Sequence, residues 1–193
     1  GLLALLYLQE PGRELIRVLE KQDMHIALKN AGLDLENYLQ RNGADGSQKE
    51  LEIEYARLFI GPGKHIPPYE SVWRETYGLL WGKATGEVKE FIESLGLTPH
   101  HAWTGLPDHV GVELELMERL TAREKEAWEM KDGATALVCL EKQKEFMEDH
   151  IIQWVPGFCR KVEEESRVVF YQHVALLTRK FIAYDRTQMN AML

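Results

Sequence analysis

No stretch of this 193-residue chain alternates apolar and polar side chains for long enough to build a half-buried strand. A strand sends successive side chains to opposite faces, so a sheet with one wet face needs a period of two. Here apolar residues return every three to four positions, the period of one face of an α-helix. That spacing predicts helices over residues 2–8, 13–21, 24–30, 33–40, 87–95, 110–131 and 134–150, and a long final helix reaching about 185. The expected apolar stripes include Leu15, Val18 and Leu19 early on, then Val110, Leu114, Met117 and Leu120. Leu137, Leu140, Lys144 and Met147 make a shorter stripe, and Phe170, Val174, Leu177 and Phe181 a longer one. Proline and glycine punctuate the pattern at Pro11-Gly12, Gly32, Gly96 and Pro156-Gly157, and mark a loop over 97–109 at Pro99, Gly105 and Pro107. Residues 42–47, NGADGS, form the most polar loop. With 45% hydrophobic residues the chain can bury a substantial core at this length. The expectation is one all-α domain over 1–193, a helical bundle.

Residues 52–73, EIEYARLFIGPGKHIPPYESVW, organise the rest. Leu51, Tyr55 and Leu58 recur at i, i+4 and i+7, and Phe59 widens that face. Gly61, Pro62 and Gly63 then stop the helix, since proline clashes with a continuing turn and glycine admits angles other residues avoid. Pro67 and Pro68 hold the next residues extended. The expected product is a stiff loop presenting His65, Tyr69, Glu70 and Trp73 beside an aromatic helix end. Binding surfaces are built in this way, although the same signals suit a chain that merely turns.

Lys and Arg number 23 against 31 Asp and Glu, a net charge of -8. That balance argues against nucleic acid as a partner, which demands a basic face, and is compatible with a basic peptide. Cys139 and Cys159 are too few for a disulfide framework and too far apart for a metal motif, so both read as core residues. No apolar run approaches the roughly 20 residues that span a bilayer. The opening LLALLYL is short and lacks a preceding basic segment, so it does not read as a signal peptide. The compartment implied is the cytoplasm, with no stable membrane insertion. Oligomeric state is open.

Enzyme signatures fail one by one. GPGK at Gly61 to Lys64 resembles the end of a phosphate loop but lacks the preceding strand, the full glycine spacing and the Ser/Thr for magnesium. His100, His101 and His109 lie near Asp108, yet no HExxH or CxxC accompanies them, so no metal is expected. Glu113 and Glu115 are two apart on a helix and face different ways. No Ser-His-Asp or Cys-His arrangement can be read. The chain reads as no enzyme, with no cofactor of its own.

Pro107-Asp108-His109 stands directly before the helix from Val110. Asp108 suits an N-cap, accepting backbone hydrogen bonds from the first turn. It also suits a cationic guest, because a guanidinium bonds a carboxylate in two-pronged fashion. On the residues alone the cap is sufficient, and both roles can coexist.

Taken in order, LFIGPGKHIPPYESVW, PDHVGVELELM and HIIQWVPGFCRKVEEESRVVFYQHVALLTRKFIAYD resemble three successive signatures of the TorD/DmsD/NarJ family of redox-enzyme maturation chaperones, from about Tyr55 to Asp185. The resemblance implies the all-helical fold of these chaperones and binding of the twin-arginine signal peptide of a molybdopterin oxidoreductase precursor. On that implication the chaperone shields the precursor until its cofactor is inserted and delays export until then. The partners would be that leader and the catalytic subunit. Carried over by position, the peptide-binding groove would comprise Tyr55, Leu58, Phe59, Pro67, Pro68, Tyr69, Ser71 and Trp73. Asp108 and His109 would be its polar end, and the arginines would reach Asp108 and also Glu70. Glu70 departs from the small residue often found there, either adding charge selectivity or facing solvent. Two alternatives stand beside this: a NarJ-like assembly factor that binds the folded catalytic subunit and ignores the leader, and a nucleotide-binding enzyme motivated only by GPGK.

Overall fold

The helical periodicity is realised throughout a computed structural model that describes residues 1–30, 46, 48–97 and 105–193. In chain order the helices are α1 (Leu2–Leu8), α2 (Arg13–Glu20), α3 (Gln22–Asn30), α4 (48–55), α5 (Glu70–Arg74), α6 (Lys83–Ser94), α7 (Val110–Glu129), α8 (Gly133–Phe146), α9 (Ile152–Glu165) and α10 (Val169–Met192). Helix α4 runs on into a π turn, Ala56–Ile60, and α8 into another, Met147–Ile151. Among the described residues there is no strand, only an isolated antiparallel bridge between Tyr69 and His109. None of the described helices is long and apolar enough to cross a membrane. The helix expected over 33–40, its cap at Gly32, most of the loop at 42–47, and Pro99, His100 and His101 lie outside the described residues.

The described chain packs as two compact units, each assembled from segments far apart in sequence. The first comprises Gly1–Leu8, Pro68–Pro156 and Phe181–Leu193, and the second Gln9–Pro67 and Gly157–Lys180. In the first, α7 and α8 pair as a hairpin, and α1 lies across the start of α7. Gly111 permits that approach: a Cβ there would sit 2.5 Å from Leu8 Cγ and 3.0 Å from the Ala4 carbonyl oxygen. Val110, Leu114, Met117 and Leu120 are buried as their spacing predicts.

In the second unit, Phe59 packs against Tyr55 (5.1 Å between ring centres), Phe158 (6.0 Å) and Tyr171 (6.0 Å). At its edge the Glu54 carboxylate accepts both Arg57 nitrogens (2.7 and 2.8 Å), the Arg167 N–H (2.6 Å) and the Ser166 hydroxyl (3.2 Å). Burial raises its pKa, but the Arg57 and Arg167 hydrogen bonds outweigh that and leave it below the ordinary 4.5.

Three helical expectations need correction. Pro156 lies inside α9 and does not break it, one turn past a π turn that has already shifted the backbone bonding register. The expected single final helix is two, parted at residues 166–168, and the second runs to Met192. The faces of α8 and α10 are also displaced: Leu137 and Phe181 are exposed, while Ala136, Cys139, Gln143 and Phe146 in α8, and Tyr171, Ala175, Thr178 and Ile182 in α10, are buried. Both cysteines are buried, as expected.

Candidate functional site

Within the first unit the two loop motifs meet. Both segments are extended where they meet: Tyr69 has φ -127° and ψ 128°, and His109 φ -77° and ψ 135°. The Val110 N–H donates to the Pro68 carbonyl and the Glu70 N–H to the Asp108 carbonyl, each at 2.9 Å. The Tyr69 and His109 rings stand edge to face, 5.1 Å apart. From this two-residue ladder α5 and α7 depart, and each begins with a side-chain cap.

The caps are not the expected ones. Asp108 does not cap the helix that follows it; its Oδ2 accepts the Ser71 N–H (3.0 Å) in the first turn of α5. Helix α7 is capped by His109, whose Nδ1 accepts the Gly111 N–H at 3.0 Å. An accepting Nδ1 requires neutral imidazole, and burial lowers the His109 pKa to about 3. Asp108 is fully buried, and its Oδ1 and the Ser71 hydroxyl have no hydrogen-bond partner. Burial first, then the Asp108 charge, raises the pKa of the half-exposed Tyr69 phenol.

Beneath the ladder sits a group that the sequence reading passed over. Glu70, expected to face solvent or a guest, is fully buried in the first turn of α5, so the stiff loop expected over 69–73 is largely helix. It is paired with Arg74, and His150 Nδ1 donates to it at 2.9 Å. Glu113 is also fully buried: its Oε2 accepts the Trp154 indole N–H at 3.0 Å, and no donor meets Oε1. Burial, then the Glu70 charge, pushes the Glu113 carboxyl well above its ordinary value and favours its protonated form. The signal was available, since Glu113 is three residues after Val110 and four before Met117, squarely on the apolar stripe.

The predicted site residues divide between the units. Pro68, Tyr69, Glu70, Ser71, Trp73, Asp108 and His109 belong to the first, where the hydrogen bonds above join most of them. Tyr55, Leu58, Phe59 and Pro67 belong to the second, where Tyr55, Leu58 and Phe59 are core side chains. Gly61 to Lys64 forms one wall of a cleft of about 490 Å³ with Arg57, Glu165 and Arg167. The chain leaves it extended toward Pro67, without the strand and following helix of a phosphate loop. Among the described residues no cluster of His, Cys, Asp and Glu is arranged to hold a metal ion.

Residues 21–160 match the protein family described as nitrate reductase delta subunit. A TorD chaperone protein of Psychrobacter sp. (strain PRwf-1) is 27% identical over 176 residues, covering 88% of this chain and 76% of that one. The TorD chaperone protein of Vibrio parahaemolyticus is 30% identical over 155 residues, covering 79% and 69%. A solved structure from Archaeoglobus fulgidus, described under redox enzyme maturation, is 21% identical with a TM-score of 0.50 and covers 98% of this chain and 91% of that one. At that identity it establishes a shared all-helical fold.

Proposed function

The chain belongs to the family described as nitrate reductase delta subunit, the TorD/DmsD/NarJ family that its motifs resemble, and from that membership we propose that it is a chaperone for maturation of a molybdopterin oxidoreductase. It binds the twin-arginine leader of the precursor in the cytoplasm, stays bound while the cofactor is inserted, and delays export until assembly is complete. Tyr69, Trp73, Asp108 and His109 receive the leader at the ladder joining the two motifs, with Pro68, Glu70 and Ser71 fixing their positions. Tyr55, Leu58, Phe59 and Pro67 act through the packing of the second unit.

Asp108 carries this reading. A buried polar atom without a partner is costly and uncommon, and Asp108 Oδ1 is one. Oδ2 is already committed to Ser71, so the free oxygen is the one an incoming guanidinium would take, with the half-exposed Tyr69 ring moving aside. The net charge of -8 supports attraction of a basic segment.

Calorimetric titration with a synthetic twin-arginine leader tests it, using the wild type and Asp108→Asn. The amide keeps an acceptor for the Ser71 N–H and removes the charge. Binding at micromolar strength, about 8 kcal/mol, weakened about tenfold by the substitution, is the expected result. A match to a family described by an oxidoreductase subunit also supports a second reading, an assembly factor for the folded catalytic subunit. Equal binding of the precursor with and without its leader would select that reading and return Asp108 to capping α5.

A further inference from the structure

A twin-arginine leader carries an apolar segment after its arginines, and three of the apolar side chains that the sequence offered for the groove are not available. Tyr55, Leu58 and Phe59 are 4%, 1% and 6% exposed. The first unit presents a different apolar surface. Between α5 and α6, Tyr77, Leu79, Leu80 and Trp81 are 85%, 63%, 48% and 77% exposed, four large apolar side chains within five residues. Single exposed apolar residues are ordinary, whereas a contiguous group marks an interaction site.

This loop is held in shape. The Glu75 N–H donates to the Ser71 carbonyl (3.2 Å), the Gly78 N–H to the Glu75 carbonyl (3.1 Å), and the Glu75 side chain accepts the Ala84 N–H (3.3 Å) at the start of α6. Gly82 lies so close against the Glu75 carboxylate that any side chain there would collide with it. Trp81 has φ 64°, a left-handed conformation that costs a bulky residue energy and that glycine adopts freely. Its ring is exposed, so burial within the chain does not offset that cost; strain maintained this way points to work outside the chain.

Resting on the leader-binding reading above, we infer that the loop Tyr77 to Trp81 receives the apolar segment of the leader. Its position argues for this occupant. Gly78 packs on the Val72 carbonyl, with 3.5 Å to an added Cβ, and the neighbouring Ser71 N–H is bonded to Asp108. The apolar loop and the unpartnered Asp108 oxygen are thus fixed to one helix of five residues, about 7 Å long. A ligand with cationic and apolar parts adjacent in sequence matches that arrangement. The net charge of -8 favours such a cationic peptide and opposes the anionic bilayer surface that an exposed Tyr, two Leu and a Trp would otherwise suit.

Trp81→Gly tests the inference, because it removes the ring and the backbone strain together. The probes are a twin-arginine leader peptide and the same peptide with serine replacing its apolar segment. Trp81→Gly is expected to melt at or above the wild-type temperature and to bind the intact leader about tenfold more weakly, near the wild-type affinity for the serine peptide. Tyr77→Ser is expected to weaken it in the same direction and carries the test if Trp81→Gly fails to fold. Wild-type affinity for the leader in folded loop variants would overturn the loop as the site while leaving leader binding intact. No binding of the intact leader by the wild type would sink the leader reading and this inference with it. Unchanged leader binding, with loop-dependent cosedimentation on phosphatidylcholine–phosphatidylglycerol vesicles, would assign the loop to a membrane instead.

Discussion

Glu54 in the second unit and the Glu70, Asp108 and Glu113 group in the first are both carboxyls taken out of water, and they are completed to different degrees. Glu54 receives two nitrogens of one arginine, a backbone N–H and a hydroxyl, so its charge is solvated by the protein as fully as water would solvate it. In the first unit the neighbours of the acids include other acids, and Asp108 Oδ1, Glu113 Oε1 and the hydroxyls of Ser71 and Thr85 meet no partner. The second unit has one such atom among the described residues, His173 Nδ1. A carboxylate with both oxygens met by donors holds a fold together. A group that keeps unmet oxygens and a stored proton is poised to accept something else.

The largest expected effect breaks the complete centre. Glu54→Ala leaves Arg57 without its carboxylate and frees the 166–168 break, and should cost about 3 kcal/mol, read as a shift of the urea midpoint at neutral pH. A loss below about 1 kcal/mol would show that Glu54 is no clamp and would erase the contrast.

A graded effect, about 1.4 kcal/mol per pH unit away from neutrality, comes from the protonation of buried groups. His109 stays neutral in the fold to about pH 3 but charges in the unfolded chain below 6.5, so stability falls as pH drops from 6.5. Glu113 keeps in the fold a proton that the unfolded chain releases above 4.5, so stability falls as pH rises from there. Above 4.5 the two effects oppose one another. Denaturation across pH should therefore show Glu113→Gln flattening the alkaline arm and His109→Asn, which keeps a capping side chain, reducing the acid arm that Glu54 also steepens. An alkaline arm untouched by Glu113→Gln would mean that the carboxyl is not held protonated.

The smallest effect sharpens the comparison most. Asp108→Asn should change stability by less than about 1 kcal/mol, since an amide oxygen still meets the Ser71 N–H, while leader affinity drops. A stability loss as large as that of Glu54→Ala would make Asp108 a structural residue.

The helical class, the extents of α1, α2 and α7 and the stop at Gly61 were legible because they rest on spacing and on proline and glycine, which act locally. The two motifs of the candidate site were legible as stretches, and Glu113 was visible as an acid on an apolar stripe. The break between α9 and α10 was not, because Ser166-Arg167-Val168 contains no glycine or proline; the carboxylate of Glu54, 112 residues before Ser166, holds it. The passage of α9 through Pro156 and the true faces of α8 and α10 were decided by π turns and neighbouring helices. So was the exchange of caps that sets Asp108 on α5 and leaves α7 to His109. Sequence by itself determined where this chain could be helical, since periodicity and backbone restriction act over a few residues. Tertiary structure alone decided which buried carboxyls are met and which left open, because a carboxyl in the interior takes its charge from donors that the fold brings from far along the chain.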